Sequence, residues 1–382
     1  QDFTFYNPTR IEFGKNKEAN IGQYVTEFGV GSVLVLYGSE RIKKDGLFER
    51  VTASLEDQGI SYQALGGVIS NPVISKVREA VKLVKEHNLQ GIVAVGGGSV
   101  ADSAKAIAAG AQYDGDAWDF FIGKAAVADA IPVFTIMTLA ATGSEMNPFG
   151  VVTNEETQQK YNLGGPSLYP KVSVINPELM ATVTPDYLAY SAVDIFSHCL
   201  YLYFTAKVFP EFTAALIENI LATVMRTTDV LMKNPTDHDA RGEFAWASTM
   251  ALNGNTFAGV AGNSFDTHMI EHAMGGLYNV PHGAGLAVVL PAWMSSIKNQ
   301  NPQRFERFAQ KMFGVADADA GITKLTEWFS AIGAPVTFAQ AGLSDDAVDP
   351  IAENAFGIAK LWGMDQLYPQ QRIADILKLA VK

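Results

Sequence analysis

Between Ser32 and about Val183 the sequence switches repeatedly between two hydrophobic periods, and that alternation limits the fold more than any other feature. Val33-Leu34-Val35-Leu36-Tyr37 is a short apolar run, Gly46 to Gln58 is amphipathic at helical spacing, Tyr62 to Leu65 is extended, and Val73 to His87 returns to the helical period. Gly91-Ile92-Val93-Ala94-Val95, then Ser99 to Ala109, then Val133-Phe134-Thr135-Ile136 continue the series. Runs that are apolar at nearly every position suit strands covered on both faces, and intervening helix-length segments suit parallel pairing through crossover helices. The expected architecture is an open, doubly wound α/β sheet of Rossmann-like type. Thr4 to Phe13 alternates as well, and is expected to add an edge strand or to pair across a subunit boundary.

The texture changes at Thr184-Pro185, a good helix start. Beyond it strand-like runs become scarce, and Pro185 to Phe204, Phe212 to Met232, Ala240 to Thr256 and Asn301 to Met312 carry apolar residues at helical spacing. Asn234-Pro235 and Gly333-Ala334-Pro335 break the series. The expectation is therefore an α/β domain over 1–184 followed by an all-α domain over 185–382, with a cleft between them. A chain of 382 residues exceeds what one core usually holds, and its 48% hydrophobic and 18% charged composition is ample for two.

The same composition excludes several classes of function. A net charge of −12 repels a phosphate backbone, so nucleic acid is not an expected partner. Apolar stretches such as Leu286 to Trp293 fall well short of the roughly 20 residues that cross a bilayer, so no membrane span is expected. One cysteine, Cys199, rules out an intrachain disulfide framework and fits a reducing compartment. The first residues, Gln1 to Phe13, lack the pattern of a signal peptide, and the expected location is cytoplasmic.

Two loops are candidates for binding a nucleotide. Strand Val93-Ala94-Val95 runs into Gly96-Gly97-Gly98-Ser99 and then a helix, where backbone N–H groups and the helix dipole can receive a pyrophosphate. The alternative is a tight turn with Ser99 as an ordinary N-cap. Asp102 and Lys105 follow on the first two turns, Asp102 either accepting from a nicotinamide amide or merely favouring the dipole. Thr138 to Glu145 follows the next strand with three hydroxyls and a glycine, and is either a second ligand loop or a polar turn. Both loops leave the carboxyl ends of parallel strands, where open α/β sheets bind ligands.

A different chemistry is concentrated in the helical half. Asp194 and His198 stand four apart, as do His268 and His272, and His282 follows a glycine-rich loop. Residues at that spacing share one helix face. An isolated Asp–His pair is open to reading as solvated or internally paired. Yet four of the 6 histidines fall in this pattern, and one carboxylate with imidazoles suits Zn²⁺, Fe²⁺ or a neighbouring first-row divalent ion.

Taken together, these motifs resemble the iron-containing (group III) alcohol dehydrogenase family over nearly the whole chain. The anchors are Asn7-Pro8-Thr9 with Phe13-Gly14, Gly96-Gly97-Gly98-Ser99 with Asp102 and Lys105, Thr138 through Glu145, Asp194 with His198, and His268, His272 and His282. The resemblance implies a dehydroquinate synthase-like fold and assigns the metal ligands to Asp194, His198, His268 and His282. It makes His272 a catalytic histidine beside the nicotinamide, where it relays a proton. Carried over in the same way are the cofactor positions Gly38, Ser39, Asn71, Gly97, Gly98, Ser99, Asp102, Thr138, Thr142, Phe149, Lys160, Leu179 and Thr182.

The function implied is hydride transfer between a nicotinamide and a small primary alcohol or aldehyde, with one divalent metal (Fe²⁺ or Zn²⁺; Ni²⁺, Co²⁺ and Mn²⁺ are also compatible) and a homodimeric assembly. NADP(H) is expected over NAD(H), because Leu65-Gly66-Gly67-Val68 puts Gly66 where NAD-using members have an acid, while Ser39 and Arg41 can meet a 2′-phosphate. Glu40 nearby offsets Arg41. Two positions depart from the pattern: Tyr201 stands where many relatives have glutamate, and Ser70 where proline is usual. The rival enzyme class is a metal-dependent lyase or cyclase acting on a sugar-derived phosphate; it calls for basic residues, and Arg226, Lys233 and Arg241 read as lying on outer faces. A catalytically silent nucleotide- or metal-binding regulator is the third reading. Phe149, Phe257 and Phe265 are candidates for an apolar pocket wall or for plain core.

Overall fold

A computed structural model describes residues 2–381, so the outermost limits of the two expected domains, residues 1 and 382, lie outside it. The chain forms two compact units. One is Tyr6–Thr182; the other runs from Val183 onward and takes in the stretch up to Phe5, which the sequence reading had placed with the α/β half. Phe5 explains the difference: its ring lies against Gly254, where an added Cβ would come within 3.4 Å of it.

In Tyr6–Thr182 the apolar runs become the strands β1 (Arg10–Phe13), β2 (Ser32–Tyr37), β3 (Ser61–Leu65), β4 (Gly91–Gly96), β5 (Val133–Met137) and β8 (Val172–Ile175). They pair in parallel in the order β1-β8-β5-β4-β2-β3. The central strands β4, β5 and β8 are buried at every position, which is why their sequences do not alternate. Helices α1 (Ile21–Thr26), α2 (Arg41–Lys44), α3 (Leu47–Asp57), α4 (Ile74–Glu86), α5 (Gly98–Ala111) and α6 (Trp118–Phe121) fill the connections. The alternating N-terminal stretch pairs only over Arg10–Phe13, as an edge strand beside β8.

The antiparallel hairpin β6 (Phe149–Asn154) and β7 (Gln159–Gly164) has no counterpart among the expected elements. Its turn includes Gln158 at φ 54, a left-handed position filled without a glycine to mark it.

The strand order reverses direction between β2 and β4, so the loops beginning at Gly38 and Gly97 flank the switch point where such sheets bind ligands.

The second unit is helical among the described residues except for a single Val208–Ala261 bridge. It contains α7 (Pro185–Thr205), α8 (Glu211–Leu231), α9 (His238–Ala251), α10 (Asp266–Tyr278), α11 (His282–Ile297), α12 (Pro302–Phe313), α13 (Ala318–Ala331), α14 (Val348–Leu361) and α15 (Gln370–Ala380). Thr184 caps α7 through its side chain and Pro185 opens the helix, as expected. The helix expected over Ala240 to Thr256 stops at Ala251, because Gly254 at φ +100 turns the chain into a short 3₁₀ segment. Arg241, read as outward-facing, is 4% exposed and donates from Nε to the Pro235 carbonyl. Helices α7, α10 and α11 are buried on almost all sides. A polar side chain on them therefore cannot escape to water, and needs a partner in the interior.

Candidate metal centre

Five polar side chains on those three buried helices meet at one place. Asp194 and His198 project from successive turns of α7, His268 and His272 from successive turns of α10, and His282 is the first residue of α11. The Nε2 atoms of His198, His268 and His282 lie 3.4, 3.3 and 3.4 Å from the same atom, Asp194 Oδ1. Asp194, His268 and His282 each present a donor atom within 4.8 Å of the others. The rings crowd accordingly: His198 stacks on His268 at 4.7 Å between centroids, and His282 tilts against His268 at 5.2 Å.

Packing alone does not account for this cluster. Asp194 is 1% exposed, yet both of its oxygens, and His268 Nε2, lack a hydrogen-bond partner. Leaving such groups unsatisfied costs about 1–3 kcal/mol each, more for a charge. Orphaned donors that all face one point are what a cation requires. The protonation states agree: burial pushes His198 down to about 3 and lowers His268, so both imidazoles offer lone pairs at neutral pH. Burial alone would raise the Asp194 carboxyl, but the imidazoles of His198, His282 and His268 outweigh it and hold Asp194 well below its ordinary value. One oxygen and three nitrogens form a set suited to a first-row divalent ion.

His272 stands one turn beyond His268, its ring 6.3 Å from that of His268 and 6.1 Å from that of His282, and outside the convergence on Asp194. Trp362 meets it edge-on at 5.6 Å. Phe265 stacks on His268 at 4.2 Å and touches Trp362 at 5.7 Å, so of the suggested wall residues this one borders the centre. Tyr201 buttresses Phe265 edge-on at 4.6 Å, an aromatic support where a carboxylate was the usual expectation. Phe257 stands one ring further out, 6.3 Å from Tyr201, and Phe149 belongs to the other unit.

The carboxylate that does appear is Glu271, wholly buried and hydrogen-bonded to His282 Nδ1. Glu271 is absent from the residues the sequence motifs single out. Its signal was there: an acid inside His268-Met-Ile-Glu271-His272, on a helix with no polar face to carry it outward.

In the α/β unit the expected cofactor positions lie on loops and their supports. Helix α5 begins at Gly98 with Gly97 as N-cap and no side-chain cap, so Ser99 sits inside the first turn rather than capping it. A Cβ at Gly98 would meet Thr142 Oγ1 at 2.4 Å and one at Gly97 would meet Leu139 at 3.1 Å, which brings the glycine loop against the Thr138–Thr142 loop. A Cβ at Gly38 would meet the Val68 carbonyl at 3.2 Å; Ser39 follows it. Asn71 is buried at φ 52, ahead of Pro72, whose carbonyl accepts from Thr153 in β6. Opposite Thr153 on the hairpin is Lys160, also buried, while Phe149 is 46% exposed. Leu179 packs on the sheet core, and the Thr182 carbonyl accepts from Arg41 Nη1 at 3.4 Å.

Asp102 does more than favour a dipole. Its oxygens accept from Ser144 Oγ at 2.6 Å and Val151 N at 3.1 Å, tying α5 to the threonine-rich loop and to β6. Beneath it, fully buried Lys105 donates to Ser144 Oγ, Asn147 Oδ1 and the Phe149 carbonyl.

Two family models match the chain. The iron-containing alcohol dehydrogenase model matches residues 8–177, and the model of that family's C-terminal domain matches 188–381. The chain belongs to the iron-containing alcohol dehydrogenase family. This dehydrogenase is 37% identical, over the whole of both chains, to a probable NADH-dependent butanol dehydrogenase 1 of Bacillus subtilis. It is 31% identical, over 91% of each chain, to the NADPH-dependent aldehyde reductase YqhD of Escherichia coli. Among solved structures, NADH-dependent butanol dehydrogenase A of Thermotoga maritima superposes with a TM-score of 0.97 at 41% identity, covering 100% of this chain and 99% of that one. The enzyme is thus an NAD(P)-dependent oxidoreductase of the alcohol dehydrogenase and aldehyde reductase type with the dehydroquinate synthase-like fold, and the lyase alternative finds no support among these relatives.

Proposed function

We propose that residues 1–184 bind the dinucleotide and 185–382 the metal, and that the enzyme interconverts small primary alcohols and aldehydes. The observation that carries the proposal is the approach of three imidazole nitrogens to one unpartnered oxygen of Asp194. Asp194, His198, His268 and His282 would hold one divalent ion, Fe²⁺ or Zn²⁺ by ligand type, with Ni²⁺, Co²⁺ or Mn²⁺ as substitutes. When bound, the ion supplies Lewis acidity toward the substrate oxygen and the nicotinamide supplies or takes the hydride. The chain's own residues do the rest. His272, beside the ligand cluster, gives or takes the accompanying proton at its imidazole. Phe265 and Trp362 exclude water and present an apolar wall to the substrate's carbon chain. In the α/β unit, Gly97, Gly98 and Ser99 offer backbone N–H groups to the pyrophosphate. Gly38, Ser39, Asn71, Asp102, Thr138, Thr142, Phe149, Lys160, Leu179 and Thr182 complete the dinucleotide site.

For the cofactor we propose NADP(H) over NAD(H). A carboxylate at position 66 would require the Tyr37 ring to move, since a Cβ there would meet that ring at 2.4 Å. The nearby Glu40 is engaged by Lys43 at 2.8 Å and by the Tyr37 hydroxyl at 3.0 Å, which blunts its repulsion of a phosphate. A homodimer and a cytoplasmic location complete the proposal, the first consistent with exposed Phe3, Phe5 and Tyr6.

The test is metal-free protein refilled with each ion in turn and assayed for NADPH and NADH oxidation over a panel of aldehydes. Activity should return only with metal and be higher with NADPH. His268→Ala should lose metal retention and turnover together; full activity without metal would refute the centre.

A further inference from the structure

We propose that Glu271 is a positioning residue for the metal centre. Its carboxylate fixes His282 with Nδ1 protonated and Nε2 turned inward, and it supplies the second negative charge that balances a divalent cation. The inference rests on the centre proposed above.

Four observations converge on it. First, His282 is the ligand held least by its own backbone. His198 lies in the middle of a long helix, where the preceding turn restricts the side chain, and His268 is the third residue of α10. His282 instead opens α11, directly after a loop that includes left-handed Asn279. Its side chain is 23% exposed, against 4% and 3% for the other two. A ligand so placed needs a tether from another element.

Second, Glu271 is that tether. It is wholly buried on α10 and bonded to His282 Nδ1 across the helix interface. A histidine whose outer nitrogen donates to a carboxylate is locked into one tautomer and made a stronger donor at its other nitrogen. By contrast, the outer nitrogen of His268 meets a neutral hydroxyl, Ser197 Oγ, at 3.4 Å.

Third, the local sequence makes room for this contact. His282-Gly283-Ala284-Gly285 gives α11 a first turn almost without side chains. A Cβ at Gly285 would meet Glu271 Cγ at 2.9 Å, and one at Gly283 would meet the Tyr190 carbonyl at 2.1 Å. The two glycines let α11 approach α7 and α10 closely enough for His282 to reach both Asp194 and Glu271.

Fourth, the charges balance. Asp194 and Glu271, 1% and 0% exposed, stand on either side of His282 in the protein interior, where uncompensated carboxylate charges are strongly unfavourable. A divalent cation cancels them; a neutral side chain at 271 would leave an excess positive charge.

The experiment compares wild type, Glu271→Gln and Glu271→Asp. Each is loaded with Co²⁺ and titrated against a chelator to obtain metal affinity, with the visible spectrum recorded. Metal-free melting temperatures serve as a control on folding. Glu271→Gln should weaken retention by about 10–100-fold and alter the Co²⁺ bands, while metal-free stability holds or rises through loss of a buried charge. Glu271→Asp, which keeps the charge on a shorter stem, should fall between the two and decides the matter if Gln folds poorly. Wild-type affinity in both variants, with unchanged spectra, overturns the proposal for Glu271. Failure of wild type itself to retain Co²⁺ overturns the centre, so the two outcomes are distinct.

Discussion

Two aspartates, half-buried Asp102 in the α/β unit and fully buried Asp194 in the helical unit, show how differently the halves of this enzyme are built. Asp102 in the α/β unit has both oxygens occupied by donors from its own chain. Asp194 in the helical unit, no more exposed, has neither occupied and is faced by three imidazole nitrogens. A satisfied acid is a staple; an unsatisfied buried one marks a site whose partner comes from outside. The α/β unit therefore offers a ligand mainly backbone and loop shape, whereas the helical unit offers a set of side chains with no other use.

Replacing each aspartate by asparagine breaks the comparison most sharply. Asp194→Asn should abolish metal retention and turnover together, while changing the stability of the metal-free protein far less, because the asparagine amide oxygen still faces the three imidazole nitrogens. Asp102→Asn should do the reverse: metal retention unchanged, unfolding free energy down by about 1–3 kcal/mol from weaker charge-assisted hydrogen bonds. Chelator competition and urea denaturation measure both. Equal loss of stability in the two variants would show that Asp194 is a structural residue after all.

Next in size is a test confined to the glycine loop. Gly98→Ala forces a methyl group to within 2.4 Å of Thr142 Oγ1, so the two loops must part. Cofactor dissociation constants should rise by roughly 10-fold or more, about 1.4 kcal/mol, with chelator-measured metal affinity untouched because the helical unit folds its own site. A fall in both affinities would mean that the units are not independent in this respect.

How much of this was legible in the sequence follows from the same contrast. In the helical unit spacing placed Asp194 with His198 and His268 with His272 on shared helix faces, while the choice of His282 as a ligand and of His272 as a non-ligand came only from the family resemblance. The strands β2, β4 and β5 were equally plain, being apolar throughout. What escaped were features fixed by tertiary contact. Gln158 closes the β6–β7 hairpin in a left-handed conformation that no glycine announces. Phe5 leaves the α/β half because its ring finds Gly254. Glu271 gains meaning only when α11 brings His282 against it. Tyr201, seen as the loss of an acid, is the aromatic prop of Phe265.

A pH-dependent effect on stability separates the units again. Burial pushes Lys105 down to about 8 despite Asp102 and Glu145, which raise it. Between that value and the ordinary lysine range near 10.4, the unfolded chain holds a proton that the folded one has released. Stability contributed by this group therefore rises with pH across that window and is flat below it, by a total on the order of 3 kcal/mol. Urea midpoints of wild type and Lys105→Met, measured from pH 7 to 10.5, should diverge with that sign; parallel curves would place the Lys105 ammonium in a more polar setting than its burial implies.

The smallest expected effect concerns cofactor choice, and it sharpens the view that the α/β unit discriminates through its loops. Arg41 leans on the Thr182 carbonyl at 3.4 Å and is 4.0 Å from Asp45, so its guanidinium is lightly committed and available to a 2′-phosphate. Glu40 is more firmly held, by Lys43 and Tyr37. Arg41→Ala should lower kcat/KM for NADPH by roughly 3- to 10-fold and leave NADH nearly unchanged, since exposed charge pairs contribute about 0.2–1 kcal/mol and somewhat more to a dianion. Glu40→Gln should move the ratio the other way by a smaller factor, and both shifts should shrink at high salt, because the groups are solvent-screened. If Arg41→Ala affected the two cofactors alike, discrimination would reside in the Tyr37–Gly66 contact, where the ring leaves no space for an acid, and the loop charges would be bystanders.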